Sequence, residues 1–466
     1  MDWKTEAARS EAAMINDLQS LISINSVLDE STASEHAPFG EGPRRALDWM
    51  LEEGRKAGMT VKDIDGKAGH IEMGEGPELL GILCHVDVVP AGDGWTTPPF
   101  QADVRDGKVF GRGTIDDKGP TIAAWHAMKL VKESGIPLNK RVRLIIGADE
   151  ESGFRCMDRY FETEEMPDIG FAPDADFPII HAEKGIAGLV FSQGPFNGTG
   201  PLASFRSGSR TNMVPDEAVA DIRLPEEALC GPFEEFVREH GLEGEIRSGG
   251  EADCRLFLKG RAAHAMEPED GINAGIRLAE FLDPYMDGDA ARFTSFVLQA
   301  FGEGSRGHSL GLGYRDEISG ETTLNAGILA YNEESGGEVS VSMRYSVTYP
   351  LDEKLSACRN VLEGSGFGLD LSSDSPPHHV DADDPFIRTL QHVYERQTGE
   401  KAELLAIGGG TYARTLEKGV AFGMLFPGRP DVAHQADEYV DVEDLVKAAG
   451  IYADAIAELA GNDPAH

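Results

Sequence analysis

Apolar positions change their spacing along the chain, and each change marks an element. Near the start, Met14, Ile15, Leu18, Leu21 and Ile22 recur three and four residues apart, which predicts an amphipathic helix packed on the first domain. From about residue 60 to about 185, short apolar runs alternate with helical segments. Leu79–Cys84, Val142–Ile146 and Ile179–Ile180 predict strands, and Thr121–Glu133, with Ile122, Trp125, Met128 and Leu130 at helical spacing, predicts a helix. Such alternation implies an α/β layered domain around a mostly parallel sheet, with ligand sites at the carboxyl ends of its strands.

Between roughly 186 and 380 the pattern turns glycine-rich, with short alternating segments such as Ala218–Leu224 and Glu338–Tyr345. That change predicts a separate α+β domain. Helical spacing returns at Phe386–Gln397. The closing DVEDLVKAAGIYADAIAEL puts Leu445, Ala449, Tyr452, Ile456 and Leu459 on one face behind Asp441, a suitable N-cap. Without repeats, low-complexity tracts or a long linker, a domain inserted into another is the natural arrangement.

A chain of 466 residues exceeds one ordinary core and calls for at least two domains. Its 41% hydrophobic and 26% charged residues describe a soluble globular protein. No apolar run approaches a membrane span, and the first residues lack a basic start followed by an apolar stretch, so the cytoplasm is the expected location. The net charge of −39 would repel phosphate backbones and anionic membranes, which argues against nucleic acid or membrane as partners. Five scattered cysteines, none in a C-x-x-C pair, read as reduced thiols.

The chemistry sits where strands give way to loops. LLGILCHVDVVPAGDGW (79–95) runs a buried strand into His85, with Asp87 two positions on. GRGTIDDKGP (111–120) sets Asp116 and Asp117 before a helix, IIGADEESG (145–153) ends a strand in Asp149, Glu150 and Glu151, FAPDADFP (171–178) carries Asp174 and Asp176, and PDVAHQADE (430–438) carries His434. Singly, each has an ordinary explanation as capping, turn or loop. Together, two histidines and several carboxylates, with no cysteine, make a nitrogen/oxygen ligand set suited to catalytic zinc, cobalt or manganese. More than four ligand candidates suggest two metals sharing a carboxylate. Asp87, on the same side of an extended chain as His85, can accept a hydrogen bond from the ring nitrogen that does not ligate. Of the adjacent glutamates, one can bind metal and the other can take a proton from the attacking water.

These segments resemble the dipeptidase V (Xaa-His dipeptidase) branch of the aminoacylase/carnosinase superfamily of di-zinc peptidases. The resemblance also runs through HAEKG, GRAAHAMEPEDGINA and GGGTYAR, in family order over nearly the whole chain. It implies an α/β catalytic domain, a mixed sheet flanked by helices, at 1–185 and 380–466, with an α+β lid domain inserted at 186–379. It implies two Zn2+ per chain, with Co2+ or Mn2+ as substitutes. His85, Asp116 and Asp174 would hold one ion, and Asp116, Glu151 and His434 the other, with Asp116 bridging. Asp87 would orient His85, Glu150 would be the general base, and the Asp116–Asp117 peptide would be cis. In the lid, His264 would stabilise the oxyanion, while Asn212, Arg344 and the Gly409, Gly410 and Thr411 backbone would fix the substrate's carboxylate. The function implied is hydrolysis of unblocked dipeptides, a small peptide substrate, by a monomer. The alternative is a related metalloamidase, either an N-acyl amino acid deacylase or a carboxypeptidase.

Overall fold

In the computed structural model, which describes residues 1–198, 200–248 and 253–461, the apolar run before His85 forms a strand, Leu79–His85, buried at every position. Its neighbours are parallel: Arg141–Gly147 pairs with it from Leu79↔Arg141 to His85↔Gly147, and Ile169–Ala172 from Leu80↔Ile169 to Ile82↔Phe171. Gly419–Ala421 continues the parallel set beyond Ile169–Ala172. Continuous apolar runs are what strands covered on both faces require. The sheet is mixed, because an antiparallel hairpin, Thr60–Ile64 with Ala68–Met73, closes its other side against Arg141–Gly147.

The helices follow the apolar spacing. Lys118–Ser134 and Val442–Ala460 pack on each other and on this sheet, and Glu11–Ile22 lies against Lys118–Ser134. Asp441 occupies the N-cap position of the last helix, but its side chain makes no capping bond there and stands 3.9 Å from the Arg429 guanidinium. This unit comprises Met1–His181, His379–Leu405 and the chain from Gly410 onward.

The second unit is Ala182–His378 with Ala406–Gly409. Its sheet is antiparallel, in the order Glu243–Ser248, Cys254–Lys259, Glu217–Ile222, Leu202–Ser207, Thr323–Asn332, Gly336–Tyr345, Gly185–Gln193, Phe367–Ser375. The strict alternation of burial along Gly185–Gln193 sends Ala187, Leu189 and Phe191 into a core shared with the helices Ala274–Leu282 and Gly288–Phe301. The fold is therefore an α/β unit with an α+β domain inserted in the chain. No helix among the described residues is long and apolar enough to cross a membrane. All five cysteines are free, four of them buried.

Candidate metal centre

Three of the parallel strands end in the same place. His85 closes the first, Asp149, Glu150 and Glu151 follow the second, and Asp174 follows the third. The fully buried His85 is fixed on both sides. Its backbone N–H donates to Asp117 Oδ2 at 2.9 Å, and its Nδ1 lies 3.0 Å from the main-chain oxygen of Asp87. Nε2 then points at carboxylates, 3.0 Å from Asp116 Oδ1 and 3.6 Å from Asp174 Oδ2.

Asp116 faces two ways. Its other oxygen, Oδ2, is 2.9 Å from His434 Nε2, which is also 3.2 Å from Glu151 Oε1. The cluster thus resolves into two ligand sets, His85–Asp116–Asp174 and Asp116–Glu151–His434, whose ligand atoms within each set lie within 4.8 Å of one another. Asp116 belongs to both, and the Asp116–Asp117 peptide is cis.

Asp87 departs from the sequence expectation. Its carboxylate stands 3.6 Å from His85 Nδ1, a contact its own main-chain oxygen makes better. The carboxylate oxygens instead accept the backbone N–H groups of Glu150 and Glu151, each at 3.1 Å. Beneath the site, the Tyr412 hydroxyl meets Cys156 Sγ at 2.8 Å, and its ring stands edge-on to His85. A Cβ on Gly147 would lie 2.1 Å from that hydroxyl, so only glycine allows the strand to pass there.

Four half-buried carboxyl groups crowd around two imidazoles, the buried His85 and the exposed His434. Burial and then the charge of Asp116 push Asp174 up to about 6 and Glu151 up to about 7. Burial also drives Glu150 well above the usual carboxylate range, with Asp174, Glu151 and Asp116 adding to it against the pull of His85. On His434, burial opposes the charge but the Asp116 and Glu151 carboxylates overcome it, raising the imidazole to about 11. The ligand set therefore takes up positive charge, as protons or as metal. Hard oxygen donors with two imidazoles fit a pair of divalent cations in the zinc, cobalt and manganese range.

The remaining residues singled out from the sequence lie in the inserted unit or at its edge. Asn212 and His264 are exposed neighbours: the Asn212 main-chain oxygen accepts the Ala265 N–H at 2.9 Å, and His264 Nδ1 accepts the Met266 N–H at 3.3 Å. Arg344 is buried on Gly336–Tyr345 and donates from Nη1 to the Gly408 carbonyl at 3.1 Å. In the GGGT segment, Gly409 is adjacent in sequence to that carbonyl. A Cβ on Gly410 would lie 2.2 Å from Arg414 Nη1, and Thr411 Oγ1 accepts the Ala413 N–H to cap a short helical turn. Sequence reasoning missed Arg112 and Glu438, a buried ion pair beside the cluster. Both stand inside the quoted segments GRGTIDDKGP and PDVAHQADE, so charged residues amid small and apolar neighbours were the available signal.

The family model described as "Peptidase family M20/M25/M40" matches residues 81–458. A Bacillus subtilis (strain 168) protein named "Putative dipeptidase YtjP" is 51% identical over 469 residues, covering 99% of this chain and 100% of its own. One from Staphylococcus epidermidis, named "Putative dipeptidase", is 43% identical over 471 residues, with 99% and 100% covered. Among solved structures, human carnosine dipeptidase 1 superposes with a TM-score of 0.57 at 15% identity over 98% of both chains. Aminoacylhistidine dipeptidase from Vibrio alginolyticus does so with 0.55 at 17% identity, over 96% and 97%. At those identities the two structures bear on the fold.

Proposed function

Since the chain belongs to peptidase family M20/M25/M40, we propose that this metallopeptidase is a two-zinc dipeptidase acting on unblocked dipeptides. The observation that carries the reading is Asp116, whose two oxygens face His85 and His434 and so join two three-residue ligand sets. Glu150 lies outside both sets while its backbone is held by Asp87. The dipeptidase names of relatives covering the full chain support the substrate class.

A pair of divalent cations bound there would supply Lewis acidity, polarising a peptide carbonyl and making water a better acid. Glu150 takes the proton from the attacking water and returns it to the leaving amine nitrogen. Glu150 belongs to neither ligand set, which leaves its carboxylate to carry the proton between the two halves of that transfer. Asp87 keeps Glu150 and Glu151 in register, so that the base and the neighbouring ligand move as one. In the inserted unit, His264 would serve as a hydrogen-bond donor to an oxyanion, and Asn212 and Arg344 as partners for a carboxylate.

The test is an assay on chelated protein reconstituted with zinc, cobalt or manganese, against dipeptides, tripeptides and N-acyl amino acids. The reading expects two equivalents of zinc and turnover concentrated on free dipeptides. Preferred cleavage of N-acyl amino acids would make the protein a deacylase instead, and preferred release of C-terminal residues from longer peptides a carboxypeptidase.

A further inference from the structure

His434 is the odd member of the ligand cluster. His85 ends a buried strand, whereas His434 lies in a loop, with its side chain 51% exposed and its backbone at φ +63°. Asp437, three residues on, is also left-handed, at φ +58°. A non-glycine backbone stays in that region only when its surroundings hold it there. What holds this loop is a buried ion pair.

Arg112, 1% exposed, and Glu438, fully buried, pair through Nη1 and Oε2. The other guanidinium nitrogen, Nη2, donates to the His434 carbonyl at 3.2 Å, and to the carbonyls of Ala91 at 3.2 Å and Pro90 at 3.4 Å. The second carboxylate oxygen of Glu438 accepts the N–H groups of Gly113 at 2.9 Å, Ile115 at 3.0 Å and Asp116 at 3.4 Å. The pair therefore touches three segments at once: the loop that follows His85 and Asp87, the turn that presents Asp116, and the loop that presents His434. The planar guanidinium fork makes this possible, since it donates along two directions from one rigid group.

We propose that Arg112 and Glu438 are positioning residues for the Asp116–Glu151–His434 set, giving that set its metal affinity by fixing His434 opposite Asp116. The inference rests on the two-metal reading above. It separates the two sets, because His85 has anchors of its own in Asp117 and the Asp87 carbonyl. Asp116, which belongs to both sets, is also tied to the Glu438 carboxylate, so loss of the pair should weaken the metal held by His434 far more than the one held by His85. A buried ion pair that served only the fold would leave no such asymmetry.

The experiment measures zinc binding by competition with a chromophoric chelator, beside the thermal midpoint of the metal-free protein. Two variants are compared with wild type: Glu438→Gln, and the double variant Arg112→Met/Glu438→Gln. The single change leaves a buried guanidinium without its counter-charge and should lower stability. The double change removes both charges and should recover stability. Metal binding should not recover with it, because methionine offers no donor to the His434, Ala91 and Pro90 carbonyls. The expected result is one of the two zincs bound about 10–100-fold less tightly in both variants, with the other within about threefold of wild type.

A double variant that regains both zinc affinities along with its stability overturns the proposal, as does equal weakening of both ions. A double variant no more stable than the single one also counts against it, since the pair would then be holding the fold. Wild-type protein binding fewer than two zincs would overturn the two-metal reading itself, and the inference with it.

Discussion

The Asp87 carboxylate and the Glu150 backbone are locked together, Oδ1 accepting the Glu150 N–H at 3.1 Å while Oδ2 accepts that of Glu151 at the same distance. One buried side chain thus sets the start of the turn that presents both glutamates. Asp87→Asn replaces one acceptor with an NH2 group that faces an N–H. The expected outcome is a fall in kcat of about 10–100-fold with metal content retained, because Asp87 stands outside both ligand sets. Zinc stoichiometry measured beside kcat decides it, and loss of a zinc in parallel with activity would place the effect on Glu151 instead.

Glu150→Ala tests the proposed base directly. Glu150 belongs to neither ligand set, so the variant should keep its fold and nearly all its metal while losing about 10²–10⁴-fold in turnover. Elemental analysis of the purified variant separates the alternatives. A variant missing one metal would mean that Glu150 and Glu151 have exchanged roles.

Much of this arrangement was legible before the fold was known, for a physical reason. Leu79–His85 and Arg141–Gly147 are buried parallel strands, so they read as unbroken apolar runs, and His85, Glu150 and Glu151 could be picked out where those runs stop. The third parallel strand, Ile169–Ala172, is too short to stand out by spacing, and Asp174 was legible from the proline-flanked FAPDADFP instead. The hairpin strand Thr60–Ile64 could not be picked out, because it is largely exposed and carries no apolar run, so the mixed sheet was expected from the family resemblance and not from spacing. Partnerships across long separations were equally invisible. Arg112 and Glu438 are 326 residues apart, and Asp87 meets the Glu150 amide across 63. Spacing could place Asp87 beside His85, but it could not show that the main-chain oxygen makes that contact and frees the carboxylate for other partners.

His70 gives the catalytic unit a pH-dependent stability that is separate from the metal cluster. Arg143 Nη1 donates to the Tyr160 hydroxyl at 3.2 Å, and that hydroxyl lies 2.9 Å from His70 Nδ1. The hydroxyl therefore gives its single proton to Nδ1, which must be unprotonated. Burial, followed by the charges of Arg143 and Lys62, lowers His70 to about 3. A folded-state pKa below the unfolded 6.5 means that the unfolded chain takes up a proton the folded one refuses. Stability is then complete above about pH 6.5 and declines as pH falls towards 3. Between pH 7 and pH 5 the loss is about 2 kcal/mol, at 1.36 kcal/mol per pH unit. Urea unfolding of metal-free protein at both pH values, for wild type and His70→Gln, should show wild type losing that much more than the variant. Equal losses would mean that His70 is protonated in the fold.

Arg344 tests whether the enzyme measures its substrate by the C-terminal carboxylate. It sits on the strand Gly336–Tyr345 between Thr323 and Ile186, only 6% exposed, and binds the Gly408 carbonyl through Nη1. A rigid strand and a guanidinium fork suit a fixed carboxylate partner, and lysine cannot reproduce the bidentate geometry. Arg344→Lys should lower kcat/KM on dipeptides by at least ~10-fold, about 1.4 kcal/mol of transition-state stabilisation. A dipeptide amide never had the charged contact, so its kcat/KM should change little and the gap between the pair should narrow. A purely structural role, ordering the Gly408 segment, would lower both substrates alike. Kinetics on the matched acid and amide, in wild type and variant, separate the two. An undiminished preference for the free acid in the variant would assign carboxylate recognition to another residue.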